Sequence, residues 1–287
     1  MASRSKCLLL SLLFGFYAAG CAADPTANAA GDRMGTPETD QRGAATPFVS
    51  SDVVLVFDRS SLALLASGVD VDQDGIVGRN LSTAKHAERT ASPSRGWTSD
   101  ADDTVEALQL EVARALVPRL ADRGNRIGLA SFTLRARTGG TSLVRFNDKP
   151  LTVVPIGPPD TVLSALSDFP SARERRHIDL ARLLEVAANV LDAAEPGRPR
   201  VILLLSAGEP SAPDGLHWST RRAIEVGHEL GARGTTIWAI HFGFADARYL
   251  AELTQPTGGD VLPLERLDAL FSTPAPRADS SDQDADG

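Results

Sequence analysis

VVLVFDRSSL, residues 53–62, is the stretch on which the fold turns: an apolar run, VVLVF, ends in an acid, and hydroxyls follow it. An apolar run with no polar break suits a strand that is buried on both faces, because neither face meets water. The acid then falls where strand gives way to loop. In open α/β sheets that carboxyl edge is where ligands bind, so Asp58 is the first candidate site residue.

Working outward, further apolar runs near 127–133, 201–205 and 236–241 alternate with helical patterns near 103–121, 178–193 and 219–232. This alternation predicts an α/β fold, a doubly wound and mostly parallel sheet with helices on both faces and one antiparallel edge strand. Residues 142–156, SLVRFNDKPLTVVPI, hold two extended runs around a polar Asn147-Asp148 turn and read as a short antiparallel edge hairpin. Residues 245–253 read as a short helix stopped at Gly258-Gly259, and Val261-Leu262 as a last strand.

The chain has 287 residues, 43% apolar and 23% charged, which is enough for one sizeable domain with extensions. Residues 1–20 carry Arg4 and Lys6, then an apolar run too short to span a bilayer, then small residues, the layout of an export signal. Ala18, Ala19 and Gly20 lead into Cys21, which resembles a bacterial lipobox whose cysteine is acylated; a plain cleaved secretion signal is the other reading. The implied location is the bacterial cell envelope, exported and lipid-anchored at the outer membrane. The only cysteines are Cys7 and Cys21, so nothing remains to form a disulfide and the core alone must supply stability.

Loss of residues 1–20 removes two cations and no acid, moving the formal charge from −8 to −10, which disfavours nucleic acid and anionic headgroups as partners. Residues 21–50 are too poor in large apolar side chains to offset their ordering entropy and read as a disordered tether. Residues 273–287 read as a disordered acidic tail, including Asp282, Asp284 and Asp286. One domain, residues 51–272, lies between them, with an acidic insertion at about 63–102.

The order VVLVFD, RIGLASF, VILLLSAGEP, then TTIWAIHFG and TGGDVLPL resembles the von Willebrand factor A (vWA) family over nearly the whole folded region. That resemblance implies a metal-ion-dependent adhesion site built from three loops at the carboxyl ends of strands. Matched residue by residue, the first loop offers Asp58 and Ser60 but Leu62 in place of a hydroxyl. The second offers Ile178, or His177, where a Thr belongs. The third, Ser206-Ala207-Gly208-Glu209-Pro210, has Ala207 in place of its acid. Because Mg²⁺ demands near-octahedral oxygens, this degenerate set is not expected to hold it. Asp58 and Ser60 are then expected to hydrogen-bond loop backbone instead. Arg175 or Arg176 could place a guanidinium against Asp58, and Arg175, Arg176, His177 and Glu209 are candidate partner contacts; a merely solvated basic loop is the competing reading.

Asp70-Val71-Asp72-Gln73-Asp74-Gly75-Ile76 matches D-x-D-x-D-G and resembles the opening of an EF-hand or dockerin calcium loop. Asp70, Asp72 and Asp74 would converge on the ion, Gly75 would permit the turn, and the Ile76 carbonyl would complete that side. Leu81 stands where the closing Glu is expected, so Asp100, Asp102 and Asp103 are the nearest further donors. An acidic loop chosen for turn geometry alone is the alternative, but three adjacent carboxylates repel unless a cation separates them.

No enzyme is expected. Ser206 and His241 both fall near the carboxyl edge, yet no G-x-S-x-G elbow or oxyanion loop accompanies them, and no phosphate-cradling loop is present. His86, His177, His217 and His228 show no metal-ligand pairing, and Trp97, Trp218 and Trp238 suit packing or partner contact. The expected function is protein binding, for adhesion or assembly, with calcium as the candidate cofactor and another envelope or extracellular protein as partner. A metal-independent structural component of an envelope complex, or a Ser-dependent hydrolase, are the alternatives.

Overall fold

The computed structural model describes residues 48–59, 61–80, 98–132, 135–138, 144–147, 150–169, 179–208, 216–243 and 245–271. Among the described residues there are eight strands, β1 (Asp52–Asp58), β2 (Arg126–Phe132), β3 (Arg135–Thr138), β4 (Val144–Asn147), β5 (Pro150–Gly157), β6 (Arg200–Ser206), β7 (Thr235–His241) and β8 (Val261–Pro263), and five α-helices, α1 (Val105–Ala121), α2 (Pro159–Ser167), α3 (Leu180–Asp192), α4 (Leu216–Ala232) and α5 (Ala247–Thr254).

Six strands form one sheet in the order β5-β2-β1-β6-β7-β8. All neighbours run parallel except β5, which pairs antiparallel with β2 at the edge. This is the α/β architecture implied by the vWA resemblance. β1 lies at its centre, and all seven of its residues are buried, as an unbroken apolar run requires. Alternation along β1 divides the core in two. Val53, Leu55 and Phe57 join the cluster under α1 and α2, whereas Val54 and Val56 join the one under α3, α4 and α5. α1 supplies its side from Leu108, Val112, Leu116 and Leu120, one stripe at four-residue spacing.

Two sequence readings are corrected. The hairpin expected about Asn147-Asp148 does not form: β4 turns back to pair with β3 in a separate two-stranded sheet, and β5 alone joins the main sheet. The alternating Thr152, Val153 and Val154 are the reason, since β5 buries Val154 against the core while leaving Val153 exposed, which suits a sheet edge. The helix α2 was not anticipated. It opens with Pro159 at its first position, where the missing N–H costs nothing, and it buries Val162 and Leu166.

The edge at which strands begin is sealed. Asp52 accepts both ends of the Arg126 fork, at 2.8 Å each, and these hydrogen bonds push the Arg126 pKa up. Asn125 ties Phe48 down by donating to its carbonyl oxygen at 3.0 Å, and the Phe48 ring meets Trp238 edge-on at 5.7 Å between centroids. At the other end of the described core, Arg119 lies 3.9 Å over the Phe271 ring and Arg123 donates to the Phe271 carbonyl. Both ends of the described core therefore meet at the edge opposite the carboxyl ends of the strands. The signal, the tether up to residue 47 and the acidic tail lie outside the described residues, whereas Phe48, read from the sequence as part of the tether, is wholly buried in the core. Among the described residues, no helix is long and apolar enough to cross a membrane.

Candidate functional site

At the carboxyl edge, the backbone positions the crevice before any side chain acts. β1 and β6 end side by side, so Asp58 meets the turn that leaves β6. Its Oδ2 accepts from the Ala207 and Gly208 amides, each at 3.2 Å, and from the Ser206 hydroxyl at 3.3 Å. Asp58 is thus a backbone clamp between the first and third loops. Gln109 reinforces the junction from α1, its side-chain amide donating to the Leu205 carbonyl at 3.0 Å and facing the Asp58 carbonyl at 3.4 Å.

Leu62 sits on the third loop. A Cβ added to Gly208 would meet the Leu62 Cδ1 at 2.1 Å, so the position that matches a ligand hydroxyl is filled by an apolar side chain pressed on the loop backbone. Ala207 is fully buried and offers no oxygen from its side chain. The residues therefore do not fit the divalent ion that the resemblance implies: a hard cation needs a shell of oxygens, and the three donors on Asp58 already orient its carboxylate toward N–H and O–H groups.

Sequence reasoning missed the cation that is present. Arg59, next to the clamp, has no solvent exposure; its guanidinium pairs with Glu106 in the first turn of α1 and lies 4.5 Å over the Phe169 ring. Phe169 in turn leans on Phe57 at 5.2 Å. The signal was faint, because Arg59 fills a position in D-x-S-x-S where any residue is admitted and Glu106 reads as an ordinary first-turn acid. Ser60, Arg175, Arg176, His177, Ile178 and Glu209 lie outside the described residues. Ser206 and His241 do not meet as a catalytic pair: the Ser206 hydroxyl lies between Asp58 and the Gly208 carbonyl, and the His241 Nε2 lies 2.6 Å from the Ala245 carbonyl.

The acidic insert leaves β1 and returns to α1, so it too stands at the carboxyl edge. Asp70, Asp72 and Asp74 can each place an oxygen within 4.8 Å of the others, and Asp72, Asp100 and Asp102 form a second such group. The sharp turn between them uses left-handed backbone at Gln73 (φ 65°) and Gly75 (φ 87°). Gly75 N–H donates to Asp70 Oδ2 at 3.0 Å and Ile76 N–H to Asp74 Oδ1 at 2.7 Å, while Asp70 Oδ1 is shielded from solvent with no hydrogen-bond partner. Asp103 has a different task from the one considered for it. Fully buried, it accepts from Val71 N–H at 2.6 Å and Gly78 N–H at 2.7 Å and so pins both ends of the loop. The Asp74 amide lowers the Asp72 pKa, but desolvation and repulsion by Asp74, Asp100 and Asp103 outweigh it and hold that carboxyl above its ordinary 3.8. Leu81, where a closing ligand was sought, lies outside the described residues.

No family model matches the sequence, and no curated protein matches it. Among solved structures, the chain is similar to the VWA domain of SpRpn10, at 12% identity over 75% of this chain and 89% of that one, with a TM-score of 0.44. It is similar to BatB from Bacteroides thetaiotaomicron at 14% identity, 74% and 89% coverage and a TM-score of 0.41. A mutant of the PilB minor pilin from Streptococcus sanguinis is similar at 11% identity, 77% and 60% coverage and a TM-score of 0.47.

Proposed function

We propose that this chain is an exported, lipid-anchored protein-binding domain whose carboxyl edge faces its partner and whose acidic insert is ordered by calcium. One observation carries the reading. The crevice loops and the aspartate loop share one edge of the sheet, while Phe48 and Phe271, the first and last described residues, lie at the other, which leaves the carboxyl edge open to a partner. The exposed side chains of Ile76 and Val77 beside the aspartates add apolar contact area to that edge.

Calcium suits the donor set of Asp70, Asp72 and Asp74, with Asp100 and Asp102 within reach of the same cluster. Oxygen ligands in a flexible loop accommodate Ca²⁺ more readily than the rigid octahedron of Mg²⁺. Calcium would relieve the repulsion that raises the Asp72 pKa.

Calorimetric unfolding with calcium and with chelator tests the ion: a calcium-dependent rise in midpoint is expected in the wild type and not in Asp72→Asn/Asp74→Asn. An unshifted wild type would remove calcium from the reading. Metabolic labelling with a fatty acid tests the anchor, with incorporation expected in the wild type and lost in Cys21→Ser. Crosslinking in intact envelopes separates recognition from assembly. Chelator-sensitive capture favours calcium-ordered binding, and chelator-insensitive stoichiometric capture favours a structural subunit.

A further inference from the structure

We propose that the Arg59 guanidinium performs the cross-linking task that a divalent ion has in the vWA resemblance, so that the crevice is held shut by a cation of the chain itself. A metal in such a crevice does two things: it places positive charge among carboxylates, and it ties together loops that are far apart in sequence. Both are accounted for by side chains here. Asp58 ties the first loop to the third through the Ser206 hydroxyl and the Ala207 and Gly208 amides. Arg59 ties the first loop to α1 through Glu106 and to Phe169, just past the end of α2.

The burial makes the assignment physical. A guanidinium with no solvent exposure is tolerable only where a carboxylate and an aromatic face replace its hydration, and Glu106, itself 5% exposed, and Phe169 provide both. Arginine suits this better than lysine, since its planar fork can bond a carboxylate and stack on a ring at once. The apolar ligand positions then follow. With no ion to coordinate, Leu62 is free to pack on Gly208 and Ala207 to be buried. A partner at this crevice would meet a closed surface with no open coordination position for its own carboxylate. This inference does not rest on calcium binding at the insert, and its test is made in a chain where that site is removed.

Thermal unfolding of the full chain carrying Asp72→Asn/Asp74→Asn is measured with chelator, with millimolar Mg²⁺ or Mn²⁺, and with methylguanidinium. None should shift its midpoint. Adding Arg59→Ala should lower the midpoint by on the order of 10 °C, as expected when a buried ion pair loses one of its members. Methylguanidinium should then restore part of the loss, and Arg59→Lys should fall between the two. A midpoint unchanged by Arg59→Ala, or a loss that methylguanidinium does not reverse, would overturn the proposal. So would a Mg²⁺-dependent rise in the starting chain that Asp58→Asn abolishes. If Arg59→Ala does not fold, Arg59→Met and Arg59→Met/Glu106→Gln decide: the double variant should be the more stable, and a double variant no better than the single would refute the charge role.

Discussion

Gly208 and Gly259 show how two glycines can be needed for different reasons. An added methyl at Gly208 strikes the Leu62 Cδ1 at 2.1 Å, the far end of a side chain that can rotate away at some loss of packing. Gly208→Ala should therefore cost roughly 1–3 kcal/mol, and in a Leu62→Ala background its additional cost should shrink, which denaturant unfolding of the cycle will read. At Gly259 the methyl would lie 1.8 Å from the Ile237 carbonyl oxygen. Backbone there is fixed by the pairing of β7 with both neighbours, so Gly259→Ala should be the more destabilising and should resist rescue by truncating any side chain. Asp58 was legible at this scale because a strand-ending acid has few uses. Arg59 was not, since nothing in a linear pattern distinguishes a buried guanidinium from a solvated one.

Among the elements, the acidic insert and α1 act as one unit. The loop hangs on Asp103, and one residue later comes Thr104, the N-cap of α1, whose hydroxyl accepts from Ala107 N–H at 3.1 Å. Asp103→Asn replaces one acceptor oxygen with an amide facing an N–H, so about 1–3 kcal/mol should be lost, with faster hydrogen exchange at Val71 and Gly78. Asp72 predicts a pH dependence. Its folded pKa lies above the ordinary 3.8, so the folded state holds the proton more tightly than the unfolded one. The stability it contributes is full below 3.8 and lost as pH rises through the raised value. In chelator, the wild type should thus lose stability relative to Asp72→Asn as pH climbs from 3.8, and saturating calcium should reverse that trend; chemical denaturation across pH checks both. Periodicity made α1 visible, but the role of Asp103 depends on amide groups 25 and 32 residues away and no local pattern encodes it.

For the whole molecule, the opposition of its two poles matters most. Phe48 plugs the edge where strands begin, wholly buried and edge-on to Trp238, just where the chain enters the domain. Phe48→Ala should cost about 3–5 kcal/mol by leaving a cavity. Because the crevice lies at the far edge, the same variant should leave the response of unfolding to calcium unchanged once the lower baseline is subtracted. A calcium response that disappeared with Phe48 would mean that the two edges are not independent.

By itself the amino-acid order determined the layered α/β plan, because an apolar strand pattern with helical stripes between has few ways to bury its surface. It also determined that Leu62, Ile178 and Ala207, three of the positions matched to ligands by resemblance, are apolar and that aspartates gather in one insert. Only the tertiary structure decided what closes the crevice. Arg59, Glu106 and Phe169 come from three separate segments, and their charge and ring faces find one another only when β1, α1 and the end of α2 are packed together. It likewise decided that β4 pairs with β3 rather than with β5, because the main sheet offers one free edge beside β2 and the half-buried residues of β5 occupy it.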